Sequence, residues 1–408
     1  MRLRKFTLLI AVIGSGSGLL VTQPAFSQAS LTPPGPPAPT MKTLDQVEAR
    51  TIVNAANSPG DATHQFIITT GGSYYLTSNI TGASGKNGIT INADNVTLDL
   101  NGFALVGVAG SLSGLTVVGN HRHIAVHGGT VRSWPGAGVE LGTTVLTEVH
   151  SLLVSGNGGF GISAGDTTTI RDCASRENGG DNFRTGAHAV ISHCSAVLST
   201  NGHGFNVTSD CQLSNCVSNG NAANGFTATV HTSLVDCVAS SLNVIGFRVG
   251  AGCSITQCIA RSNKDYGIYT DQAAVVSNCT ASSQSGGTGI GIRVGDASTV
   301  NGCTASYNLY DGIQSTNQCL IANNTASYNG LPPNSLGSGI QTFGGTNRVD
   351  SNFVSSNYLV GIAFGPSDIV TRNTSRSNGS ARYNLVASSN LGPTDQNPST
   401  ATSPWANF

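Results

Sequence analysis

The chain has 408 residues, 52 of them glycine, yet only 10% are charged and the formal net charge is −1. So even a balance excludes the basic surface of a nucleic-acid binder, and no nucleic-acid partner is expected. Beyond the first 30 residues no run reaches the ~20 apolar residues of a spanning helix, so no membrane span is expected.

The chain opens MRLRKFTLLIAVIGSGSGLLVTQPAFSQAS. Arg2, Arg4 and Lys5 form a basic start, Phe6 to Val21 an apolar run, and Ala25-Phe26-Ser27 fits the small-x-small cleavage rule. This pattern predicts a signal peptide over 1–27 and a protein that is secreted, periplasmic or held at the cell surface. Residues 28–45 contain LTPPGPPAPT and read as an extended proline-rich linker. The repeat domain is placed at 46–390, and the Pro- and Ser-rich residues 391–408 are expected to be a flexible tail.

Between those ends the pair Gly-[Phe/Ile] keeps returning. Its apolar partner falls at Ile89, Leu115, Val139, Ile162, Phe183, Phe205, Phe226, Phe247, Ile268, Ile292, Ile313, Ile340, Ile362 and Tyr383, with steps mostly of 21 or 22. Eleven residues later runs a second column, Cys173, Cys194, Cys216, Cys237, Cys258, Cys279 and Cys303, continued by Asn324, Asn352 and Asn373. A third follows in fragments such as RSN, SYN and SSN. The apolar runs between are three to five residues long with period-two alternation, which predicts short strands and no helices. A unit of that size cannot bury its own apolar face alone, but a stack of copies can. The period excludes helical repeats and propeller blades, leaving an all-β parallel β-helix of about fourteen coils. In such a stack each inward position becomes a ladder of like side chains ~4.8 Å apart. Corner asparagines are expected in αL geometry, and the glycines are expected to allow the tight corner into the next strand.

Ten cysteines in an exported chain permit disulfides. Seven stacked in one column cannot all pair, however, and asparagine replaces them further along. Cys211, Cys253 and Cys319 lie five residues before that column, in coils too far apart to join each other. All ten are expected to be free, buried and small. A single column places thiols in a line and not around a point, so no metal cluster is expected from them.

Residues 65–105, QFIITTGGSYYLTSNITGASGKNGITINADNVTLDLNGFAL, with MKTLDQVEART upstream, resemble bacterial right-handed parallel β-helix repeat proteins of the pectate-lyase-like superfold, especially the NosD-like branch. The resemblance covers about residues 41–390. It implies right-handed coiling and a polysaccharide or cell-surface glycan as partner. It also implies that substrate lies along the outward face of each coil's first strand. The superfold hosts lyases, hydrolases, epimerases, tailspikes and proteins of no known activity, so it does not name a reaction.

If the Gly-[Phe/Ile] segment is that strand, alternation turns the next residue outward. The outward column is then Glu140, Ser163, Arg184, Asn206, Thr227, Arg248, Tyr269, Arg293, Gln314 and Gln341. Asp271 follows two residues after Tyr269 on the same face. Arg248, Tyr269, Asp271 and Arg293 are the candidate catalytic group, because arginines suit uronate carboxylates and tyrosine offers a stacking surface. Glu140, Arg184, Asn206, Gln314 and Gln341 are the candidate substrate-binding residues. A lyase would need a base and neutralisation of the substrate carboxylate. No cofactor is expected, with calcium a possibility only for a lyase. The alternatives are a binding module, a polysaccharide lyase, and a structural or adhesive module of unspecified oligomeric state.

Two further clusters stand out. RDCASRENGGDNFRTGAHAVISHC (171–194) concentrates charge, and Asp181 sits where polygalacturonase-like hydrolases place an acid. Those enzymes carry paired aspartates, whereas Asn182 follows here, and salt-bridge decoration is the simpler reading. His121, His123 and His127 form a two-ligand start for zinc without a third ligand fixed by spacing, and no metal site is assigned.

Overall fold

The computed structural model describes residues 48–241, 243–333, 336–384, 390–395 and 399–408. The expected signal peptide and nearly all of the proline-rich linker lie outside the described residues.

The chain from Arg50 onward is a right-handed parallel β-helix. Fifteen strands, from His64–Ile68 to Ala381–Tyr383, pair in chain order into one parallel sheet, one strand per coil. That is one coil more than expected, because His64–Ile68 stacks before the coil of Ile89. The other strands form a 28-stranded sheet to which most coils contribute two segments, such as Thr169–Arg171 and Ala174–Arg176. Among the described residues no helix is long and apolar enough to cross a membrane.

The ladders form as the repeat predicts. Phe183, Phe205, Phe226 and Phe247 stack with centroids 4.8 Å apart and planes within 6°. All four are at most 1% exposed. Ile268, Ile292 and Ile313 then continue the same inward column. Stacking of like rings fixes register, since a one-residue slip would turn every ring to solvent.

Two details differ from the sequence reading. The glycine before each apolar partner is needed for close approach and not for a left-handed corner. A Cβ added to Gly246 would meet the Gly267 carbonyl oxygen at 2.5 Å, and one on Gly291 would meet that of Gly312 at 2.5 Å. The αL residues, in turn, are those just before the polar columns. Asn323, Ser351 and Arg372 have φ of 56°, 58° and 58°, while Asn324, Asn352 and Asn373 behind them lie buried. One αL residue between two strands makes a sharp bend, and the side chain that follows it points into the stack.

All ten cysteines are free and buried. Burial pushes the thiols of Cys211, Cys253 and Cys319 above their ordinary range, which keeps them protonated and inert.

The described part of residues 391–408 corrects the expectation of a loose tail. Asn390–Leu391 pairs with Ile369 and Val370. Asn407 is fully buried and accepts the Asn373 backbone N–H at 2.9 Å, taking the next place in the asparagine column. The Phe408 carbonyl accepts from the Ser375 N–H at 2.6 Å. The reason is chemical: the last coil presents unpaired backbone groups, and the returning strand satisfies them.

Candidate functional site

The outer face of the fifteen-stranded sheet carries the outward column in unbroken register. Glu140 pairs with Ser163, Ser163 with Arg184, Arg184 with Asn206 and Asn206 with Thr227. Thr227 pairs with Arg248, then Tyr269, Arg293, Gln314 and Gln341 follow one coil at a time.

The centre of the column is an Arg–Tyr–Arg stack. The Arg248 guanidinium lies 4.3 Å from the centroid of the Tyr269 ring, and that of Arg293 lies 5.6 Å from it. Tyr266 meets Tyr269 edge-on, with centroids 5.1 Å apart. Each cation over a tyrosine face contributes about 0.5–1 kcal/mol at a partly exposed site. Arg248 also reaches Asp271 at 3.2 Å and donates to the Val249 carbonyl. Arg293 has no carboxylate within ion-pair distance among the described residues. Tyr269, Asp271 and Arg293 line an open depression of ≈ 480 Å³, completed by Asp296, Thr316 and neighbouring backbone.

Asp296 was missed by the sequence reading. The Thr316 hydroxyl and then the Asn317 backbone and amide hold its carboxyl below the ordinary range. Its place three residues after Arg293 of the outward column was the available signal.

The flanking predicted residues make their own contacts. The Ser163 hydroxyl donates to Glu140 at 2.9 Å. The Arg184 guanidinium lies 4.9 Å from the Phe160 ring centroid. The Asn206 amide donates to Asp181 at 2.8 Å, and Asp181 also accepts the His203 backbone N–H at 2.7 Å. Gln314 is buried and donates to Asp311 at 2.6 Å. Burial pushes the Asp311 carboxyl above the ordinary range, opposed by Gln314 and the Ser338 N–H. Gln314 is therefore tied into the floor of the face, which its alternation alone did not reveal.

The other clusters disperse. Arg171 pairs with Glu148 at 2.8 Å and Asp172 at 3.4 Å, and Arg176 pairs with Glu177. His121 bonds Asp94 and Asn92, and His123 bonds Asn95. His127 instead stacks on His150 at 4.6 Å and lies 3.5 Å from Asp99. Among the described residues no group of three or more His, Cys, Asp or Glu is placed to hold a metal ion.

A family model described as the right-handed β-helix region matches residues 231–391. No curated protein matches the sequence. Among solved structures, the A-module of the mannuronan C-5 epimerase AlgE4 of Azotobacter vinelandii is 16% identical. That match covers 78% of this chain and 90% of that one, with a TM-score of 0.42. The receptor-binding domain of the siphovirus 9NA tailspike is 9% identical over 84% of this chain and 77% of that one, with a TM-score of 0.45. A periplasmic alginate epimerase, AlgG, is 11% identical over 85% and 81%, with a TM-score of 0.39. None of the three transfers an activity to this chain.

Proposed function

We propose that the chain is an exported carbohydrate-binding solenoid, near the NosD-like branch of its superfold, whose Arg248–Tyr269–Arg293 face takes an acidic glycan bearing uronate carboxylates. The observation that supports this reading is the stack itself, with Arg293 free of any carboxylate partner among the described residues beside a half-buried tyrosine. A guanidinium offers two parallel N–H donors to a carboxylate, and the tyrosine offers an apolar surface with a polar tip. Asp271 answers Arg248, so that arm is held in place before any ligand arrives.

Binding is favoured over elimination on this face. Asp271 is engaged by Arg248, and Asp296 is held ionised by Thr316 and Asn317, which makes Asp296 a poor proton acceptor. The test is equilibrium binding of oligogalacturonate and oligomannuronate, against neutral glucan, to the purified protein and to R293A and Y269A. The expected result is uronate binding that weakens with salt and falls roughly tenfold in each variant. Neutral-glucan binding that R293A weakens as much as it weakens uronate binding, or no effect of R293A on uronate binding, overturns the reading. Release of an unsaturated uronate product would replace it with the lyase. Export is tested separately by the N-terminal sequence of secreted material, expected to begin at Gln28. Retention in the cytoplasm with Met1 intact would overturn export.

A further inference from the structure

Away from the arginine face, one corner column carries an unusual choice of residue. The αL position after the second outer strand is filled by Glu177, Leu198 and Gly220, then by Ser241, Ser262 and Ser283, then by Tyr307 and Tyr328, then by Ser356 and Ser377. Tyr307 and Tyr328 both have φ of 56°. Left-handed backbone is unfavourable for a bulky side chain, and serine shows that the corner forms without one. Burial gives no return for the choice, since Tyr307 is 49% exposed and Tyr328 48%. The two rings lie face to face, with centroids 5.0 Å apart and planes within 2°.

A parallel pair stacked along the coil axis leaves the far face of Tyr307 turned to the preceding coil. There the column holds only Ser283, whose backbone N–H donates to the Ser306 carbonyl just before Tyr307. The ladder therefore lacks one ring at that step. An open depression of ≈ 600 Å³ lies at this place, lined by Ser283, Ser285, Tyr307, Leu309, Leu331 and Pro332 among others. The steps from Ile268 to Ile292 and from Ile313 to Ile340 are 24 and 27 residues, longer than the usual 21 or 22. No charged side chain lines the depression among the described residues, in contrast to the arginine face.

We infer that this flank is a binding subsite for a neutral hexopyranose ring, which fills the missing step of the tyrosine ladder. A pyranose presents an apolar C–H face to Tyr307 and Leu309 and hydroxyls to Ser283 and Ser285. The volume falls within the range of small-ligand pockets, and the lining is apolar with a few polar groups. The absence of charge selects a neutral sugar over a uronate, so the site is distinct in ligand from the arginine face and stands whether or not that face binds.

Three variants test it, with neutral gluco-, manno- and galacto-hexasaccharides as probes in titration calorimetry. Tyr307→Ser installs the column's own residue, and it is expected to keep or raise the melting temperature while weakening binding roughly tenfold. Ser283→Tyr completes the ladder and is expected to abolish binding while the fold is retained. R293A is expected to leave neutral-sugar binding unchanged, which separates this result from the acidic-glycan test. The inference is overturned if no probe binds at millimolar concentration. It is equally overturned if Tyr307→Ser lowers the melting temperature by several degrees, which would make the pair structural, or if the depression proves to bury a second copy of the chain in solution.

Discussion

The same corner slot is built from sulfur in one half of the stack and from amide in the other. From Cys258 to Cys303 each column residue takes the previous coil's backbone N–H on its sulfur, at 3.4 Å. From Asn324 onward the side-chain oxygen accepts that N–H at 2.8–2.9 Å. At Asn352 and Asn373 it also accepts from the preceding side-chain amide at 2.9–3.0 Å. Asn352 in addition donates to the Ile321 carbonyl at 2.8 Å, where Cys258 only approaches the equivalent Leu234 carbonyl at 3.6 Å. What the slot demands is therefore a small side chain that can receive one buried N–H. A thiol meets that demand weakly and an asparagine fully.

The comparison breaks most clearly at Asn352. Asn352→Leu would strand the Asn324 backbone N–H, take the side-chain donor from the Ile321 carbonyl, and leave the Asn324 side-chain amide with the Val300 carbonyl alone, while leucine overfills the corner. Each buried unsatisfied group costs about 1–3 kcal/mol, so a loss of ~4 kcal/mol is expected. The two tryptophans make the loss localisable, because Trp134 is buried near the start of the stack and Trp405 is half exposed at its end. Urea unfolding followed at Trp405 should move before that at Trp134, as a stack of nearest-neighbour units allows. A loss no larger than that of Cys258→Ala would sink the distinction between the two halves.

How much of this was legible follows from what repeats. The column Cys173 to Asn373 could be read off because its spacing is constant, and it predicted both free thiols and the swap to asparagine. The outward register of Glu140 to Gln341 was legible for the same reason, through strict alternation beside a repeated anchor. Contacts that depend on rotamers were not. Nothing in the spacing distinguishes Gln314, tied down to Asp311, from Gln341, or tells that Arg248 rather than Arg293 would take Asp271. The end of the chain was misread because its composition resembles a linker. The asparagine at 407 lies 34 residues after Asn373, outside the period, and only the unpaired edge of the last coil explains its place.

The asparagine half also ends on a carboxylate whose side chain is only 8% exposed and is held by two arginines, and acid should separate this end from the rest of the stack. Asp350 pairs with Arg372 and, at 3.1 Å, with Arg348, while the Arg372 guanidinium lies 5.4 Å from the Trp405 ring centroid. Arg372 first, then Arg348, hold the Asp350 carboxyl down to about 2. A lowered folded-state value means stability that is present above the ordinary carboxylate range and is lost as pH falls toward 2. The Trp405 signal should therefore report loosening of the C-terminal coils between about pH 4 and 2, and Asp350→Asn should remove that dependence. An unchanged pH profile in the variant would show that the pairs at Asp350 do not secure this end. The part-exposed arginines make the effect modest in size.

The smallest expected effect is the most discriminating. If the slot asks only for size and one acceptor, Cys258→Asn should be accepted in the middle of the sulfur half. The Cys237 backbone N–H already points at the position, and the Leu234 carbonyl stands ready for the new amide. The two side chains are similar in volume, so overpacking is slight, and a change within about 1 kcal/mol is expected. Its unfolding midpoint should match the parent while Cys258→Leu falls well below both, since leucine overfills the corner and accepts nothing. A large loss in Cys258→Asn would mean that asparagine works only beside other asparagines, through the amide-to-amide bonds. The column would then be cooperative along its length, and its identity at each coil would be set by its neighbours and not by the slot.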